Sequence, residues 1–163
     1  MKLDVTEALA NPGQEFGFSG SQAIADQEIG GDTVSFEPCE VSGVLLAGDD
    51  GQISVRGILS TTAHARCANC LAPAEVDVET SFDETFQPWG DPEDDEIFLY
   101  SGREINLDKL VMSYAVMALP IRFLCREDCP GFEYDDPDAA SGNEDVIHPF
   151  AGLRQLLDYQ EEV

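Results

Sequence analysis

From Glu40 to Phe86 the chain alternates apolar and polar residues with a period of two, a spacing that suits half-buried strands and not helices. Val41, Gly43, Leu45 and Ala47 fall on one side, with Glu40, Ser42, Val44 and Leu46 on the other. Asp49, Asp50 and Gly51 supply turn residues, after which Ile53, Val55, Leu59, Ala63 and Ala65 resume the alternation against Ser54, Arg56, Ser60, Thr62, His64 and Arg66. Pairing Ala47 with Ile53 and Leu45 with Val55 puts the apolar sets on one face. It also leaves a three-residue loop with Gly51 placed for a left-handed backbone.

A third strand runs past Phe82 to Phe86, with Val76, Val78, Thr80, Phe82 and Phe86 facing one way and Glu75, Asp77, Glu79, Ser81 and Asp83 the other. If the intervening CANCLAP is a hairpin tip, pairing Ala65 with Val76 and Ala63 with Val78 keeps apolar sides together. That register also sets Arg66 against Glu75 and His64 against Asp77, so charge and apolar phase agree. The first forty residues are punctuated by Pro12, Gly13, Gly17, Gly20, Gly30 and Gly31 and read as loops around a weak strand or two.

QPWGDPEDDE reads as a loop, and Asn106 then caps a helix that carries Leu107, Leu110, Val111, Tyr114, Ala115 and Ala118 at helical spacing. Met112, Val116, Met117 and Leu119 make its other sides apolar too, which predicts a largely buried helix against the sheet, ended by Pro120. GFEYDDPDAASGNED reads as an acidic loop. HPFAGLRQLLDY suggests a short amphipathic helix begun by His148 and Pro149, with Phe150, Leu153, Leu156 and Leu157 on one side. The expected fold is therefore α+β: an antiparallel β-meander packed against a buried helix, with a short C-terminal helix. The chain reads as one domain over residues 1–163, with acidic loops at about 87–103 and 131–147.

Five cysteines occur with no export signal in MKLDVTEALANPG, which points to a cytosolic chain with reduced thiols and argues against a disulfide framework. Cys67 and Cys70 form a CxxC pair at the expected hairpin tip, and Cys125 and Cys129 form a CxxxC pair after the helix. Two short chelating pairs suit a structural zinc site of four cysteines, whose closed sphere leaves no position for water. The 54 residues between Cys70 and Cys125 weaken the signal, although closure entropy grows only logarithmically with loop length. Ordinary buried thiols are the alternative. A redox CxxC fits less well, because Leu71, Ala72 and Pro73 lead into a strand and not a helix. Cys39 has no partner at ligand spacing and reads as a small core or surface residue.

His64, Arg66, Arg122 and Arg126 flank the two pairs and read as charge compensation for a thiolate centre, in preference to a phosphate patch. A formal charge of −25, from 33 acids against 8 lysines and arginines, repels nucleic-acid backbones and anionic lipid. Direct binding of bare RNA is therefore disfavoured, and the acidity serves either solubility or a basic protein partner. No segment is long and apolar enough to span a bilayer. The residues offer no elbow, zincin helix or phosphate loop from which to name a catalytic group.

The CxxCL after a strand, the segment INLDKLVMSYAVMALPIRFLCREDCPGF and the terminal HPFAGLRQLL together resemble the bacterial YceD family of large-subunit ribosomal RNA accumulation proteins, from about residue 40 to the end. By position, Cys67, Cys70, Cys125 and Cys129 match the family's cysteine pairs, and Pro149, Phe150, Leu153 and Leu157 match its C-terminal helix. Many members carry further cysteines beyond this point, whereas this chain has none after Cys129, so any site is completed within the four. The resemblance implies a non-enzymatic role in ribosome biogenesis, and such proteins are often encoded beside a zinc-ribbon ribosomal protein. Charge adds the expectation of a basic ribosomal or assembly protein as partner. The alternative reading is a zinc-thiolate regulator that responds to oxidation.

Overall fold

A computed structural model of the chain describes residues 1–91, 93–94 and 97–132. The elements in chain order are β1 (Lys2–Asp4), α1 (Thr6–Ala10), β2 (Glu15–Gln22), β3 (Gln27–Ile29), β4 (Asp32–Phe36), β5 (Cys39–Ala47), β6 (Ile53–Arg66), β7 (Pro73–Gln87), β8 (Phe98–Leu99), β9 (Glu104–Asn106) and α2 (Asp108–Met117). Seven strands form one sheet, while β1 and β9 pair separately. Contacts divide the chain into two units, Met1–Gly131 and Phe132–Val163, and all of these elements belong to the first. The expected C-terminal helix, and the expected acidic loop beyond residue 132, lie outside the described residues.

The centre of the sheet is the meander β5–β6–β7. The first hairpin has the expected register, Ala47 opposite Ile53 and Leu45 opposite Val55. Gly51 closes its loop at φ 80°, where a side chain would be strained. The second hairpin pairs antiparallel as expected but two residues out of the expected register. Ala63 lies opposite Val76, His64 opposite Glu75 and Arg66 opposite Pro73. A slip of two preserves every face, so apolar phase could not distinguish the two registers. The tip decides. The Cys67 N–H donates to the Ala72 carbonyl at 2.8 Å, and closing the turn there is tighter than the charge pairing allowed.

β7 occupies one edge of β6 along its whole length, so β5 and β4 share the other edge. Between Phe36 opposite Ala63 and Glu40 opposite Ser60, the β4–β5 strand has one residue more than β6. This is a β-bulge at Glu37–Pro38, a place where a proline's missing N–H does least harm. Thr61 is buried there, and its Oγ1 donates to the Glu37 carbonyl at 2.8 Å. The N-terminal segment is thus far more ordered than its glycines suggest: β2 pairs with β5 over eight residues, and part of the expected loop 87–103 forms β8 beside β7.

Two apolar clusters lie along the β6–β7 hairpin. The larger gathers Ile53, Val55, Leu59, Phe82 and Phe86 with Leu107, Leu110, Val111 and Ala115 of the helix region. The smaller, nearer the hairpin tip, holds Val34, Ala63 and Val78, covered by Ala118, Leu119 and Phe123. Leu110 and Val111 are fully buried, each worth about 1.5–3 kcal/mol. The cap position falls on Leu107, one residue after the expected Asn106, whose Oδ1 still accepts the Asp108 N–H at 3.0 Å. Burial is confined to one face, however. Met112 and Met117 are exposed, which corrects the expectation of a helix buried on most sides. Among the described residues no helix is long and apolar enough to cross a membrane.

Candidate metal centre

β6 and β7 continue past the smaller cluster and turn through residues 67–72. The Leu71 N–H donates to the Cys67 carbonyl at 2.9 Å. To do so Leu71 adopts φ 62°, a left-handed conformation that costs a leucine about 1–2 kcal/mol and persists only where its surroundings fix it. Its side chain is exposed, so packing is not what holds it. The knuckle requires the backbone there.

The second cysteine pair arrives from the helix. α2 ends before Pro120, and Phe123 then packs on the smaller cluster. Its carbonyl accepts the Ala68 N–H at 2.8 Å, which joins the two segments backbone to backbone. Beyond it the Cys129 N–H donates to the Arg126 carbonyl at 3.2 Å, and Asn69 Nδ2 donates to the Cys129 carbonyl at 3.4 Å. Hairpin and helix therefore deliver one cysteine pair each to the same end of the fold.

Cys67, Cys70, Cys125 and Cys129 place their Sγ atoms within 4.8 Å of one another and could hold a metal ion. Two approaches cross between the pairs: Cys67 to Cys129 at 3.7 Å and Cys70 to Cys125 at 3.6 Å. Cys67 is buried, Cys70 and Cys129 are half-buried and Cys125 is exposed, so the cluster sits at the surface with its back to the protein. The backbone N–H of Cys125, aided by those of Asn69 and Cys70, holds the Cys67 thiol down to about 6. Cys70 acts in the opposite sense on Cys125, which is pushed up to about 12. Cys67 thus ionises readily while Cys125 holds its proton, and a cation is what would bring both to the thiolate form.

The basic residues expected nearby do not make the predicted pairs. His64 Nε2 lies 3.3 Å from Glu37 and Nδ1 lies 3.9 Å from Glu75, not Asp77; Asp77 instead accepts from Thr62 Oγ1 at 3.0 Å. Arg66 lies opposite Pro73 in place of Glu75, because of the shifted register. Arg126 pairs with Asp128 at 3.6 Å. Cys39 is wholly buried in the larger cluster, where burial raises its thiol to about 11, and it takes no part in the centre. The Phe123–Ala68 bond escaped sequence reasoning because backbone bonds between distant segments leave no compositional mark.

Neither the curated proteins nor the solved structures include a match to this chain. A family model does match, over residues 55–157, a span that takes in both cysteine pairs and well over half of the chain; its description is large ribosomal RNA subunit accumulation protein YceD.

Proposed function

The chain belongs to the YceD family, and on that premise we propose that it is a non-enzymatic accessory factor in large ribosomal subunit biogenesis, supporting ribosomal RNA accumulation by binding a basic ribosomal or assembly protein. The family match carries the biological setting. The mode of binding rests on the outer face of β7, where Glu75, Asp77, Glu79 and Asp83 are exposed in one row. Eight residue steps of strand make that row about 27 Å long. Across from it Glu79 and Asp77 face Ser60 and Thr62, which bring no positive charge, while Asp83 faces Arg56 and Glu75 faces His64 towards the two ends of the row. Such a row, within a chain of net charge −25, attracts a basic surface and repels a phosphate backbone, which gives association rate and selectivity.

Zinc held by Cys67, Cys70, Cys125 and Cys129 is the structural part of the proposal. With zinc–sulfur bonds of about 2.3 Å, a tetrahedron spaces its sulfurs about 3.8 Å apart. The 3.6 and 3.7 Å approaches lie close to that value, and four thiolates suit zinc as a donor set. The four cysteines would clamp the end of the hairpin to the segment after α2. A second reading, a regulator that releases zinc on oxidation, is favoured by the exposure of Cys125. Metal content measured before and after mild peroxide separates the two, since a purely structural site keeps its ion.

The test of the main reading is a pulldown with quantitative identification of RNA and protein, with and without nuclease, followed by titrations of labelled ribosomal RNA and of candidate basic proteins at two ionic strengths. Protein binding that survives nuclease and weakens with salt is expected. Tight binding of bare RNA by the chain alone at physiological salt rejects it.

A further inference from the structure

Beside the centre, between the β3–β4 turn and the segment after α2, lies a groove of about 340 Å³ whose walls include Ile29, Leu119, Ile121 and Phe123, with Arg66 and Arg122 also lining it. Its size is at the low end for a ligand cleft and suits one or two side chains of a peptide more than a cofactor. Ile121 is fully solvent-exposed, an unusual place for an isoleucine in a folded chain.

The two arginines distinguish this groove from ordinary surface. Acids outnumber lysines and arginines 33 to 8 in this chain, and Lys2, Arg56 and Arg126 each form an ion pair with one. Arg66 and Arg122, like Arg103, have no carboxylate at ion-pair distance among the described residues, and these two line one groove. The single acid in the lining is Asp32, and it pairs with neither. Two guanidinium groups without such a partner at one apolar groove form a site for an anion attached to something apolar.

We infer that this groove is a docking site for a peptide segment that carries an aliphatic or aromatic side chain next to a carboxylate, the apolar group entering between Ile121 and Phe123 and the carboxylate meeting Arg66 and Arg122. A phosphate backbone is the weaker candidate, because beyond a Debye length of about 8 Å it meets the field of the whole chain, whereas one carboxylate is presented at contact distance. A second copy of this chain is weaker still, since each copy carries −25. The site is separate from the acidic row on β7 and does not depend on the role proposed for it.

The experiment is selection of a displayed random-peptide library on the full-length protein, on Arg66→Glu/Arg122→Glu and on Ile121→Asp. Circular dichroism and metal content confirm that these surface variants are folded. Enrichment of peptides with Leu or Phe adjacent to Glu or Asp is expected. The selected peptides should bind at least tenfold more weakly to either variant and unchanged to Lys2→Gln, which lies far from the groove. No enrichment overturns the inference, as does enrichment of basic peptides or binding that survives both variants. Displacement of the peptide by an RNA oligonucleotide that needs the same arginines, or a dimer that Ile121→Asp dissolves, assigns the groove to another occupant and overturns it too.

Discussion

Replacing Gly43 by alanine should cost the fold about 3 kcal/mol, at the upper end of what overpacking exacts. Gly43 and Gly57 face each other across β5 and β6. A Cβ on Gly43 would lie 2.1 Å from the Arg56 carbonyl oxygen and 2.8 Å from the Gly57 Cα. The three nearest atoms are all backbone, so no rotamer change relieves these contacts. The strands must part by about 1 Å, which strains the ladder bonds on either side, each worth roughly 0.5–1.5 kcal/mol. Gly17 in β2 is the internal control: its added Cβ would meet only the Gly43 oxygen at 3.9 Å, an ordinary contact. Gly17→Ala should therefore be neutral or stabilise by about 0.4–1 kcal/mol through the unfolded chain. Urea unfolding followed by circular dichroism, at fixed metal concentration, compares the two. A Gly43→Ala protein within about 0.5 kcal/mol of wild type, or a Gly17→Ala protein as unstable as Gly43→Ala, refutes the reasoning.

Thr61→Val should destabilise by about 1–3 kcal/mol, because the Glu37 carbonyl in the bulge loses its buried donor; equilibrium unfolding measures it. Tyr114→Phe removes a hydroxyl that donates to Glu84 at 2.7 Å and should cost about 0.5–1.5 kcal/mol. That hydrogen bond raises the tyrosine's pKa in the folded state. Its stabilisation is therefore complete below the unfolded value and lost as pH rises through the folded one, so the variant should show a shallower alkaline loss of stability. Cys39 should stay unreactive toward a thiol reagent in native protein and react on unfolding, since it is fully buried; modification at the rate of an exposed thiol would contradict the placement. Freshly reduced protein should bind one zinc ion per chain and Cys125→Ser should lose it, as metal analysis can establish.

The first hairpin was legible to the residue because its turn chemistry and its alternation are independent and agree on Ala47 opposite Ile53. At the second hairpin the alternation fixed the faces only, and the cross-strand charges used to choose a register belong to exposed side chains worth little energy. Backbone bonds within the knuckle outweighed them. β2 was illegible because EFGFSGSQ offers only two aromatic residues among glycine and polar groups; it is held by its pairing with β5, a partner that local pattern does not reveal. The exposure of Met112 and Met117 follows from the sheet covering only one side of α2, which composition cannot show. The four cysteines that spacing singled out do converge, while Leu71, whose backbone shapes the turn, gave no signal because leucine rarely adopts that conformation.

Because the hairpin supplies Cys67 and Cys70 and the segment after α2 supplies Cys125 and Cys129, the cluster has an order of synthesis. At about 5–20 residues per second, Cys125 leaves a translating ribosome roughly 3–11 s after Cys70. Through that interval two of the four cluster thiols have been made without the other two, which in the folded chain follow the point where the Phe123 carbonyl accepts the Ala68 N–H. A full set of four sulfurs therefore marks a chain that has been made through Cys129 and whose hairpin tip and post-helix segment have come together.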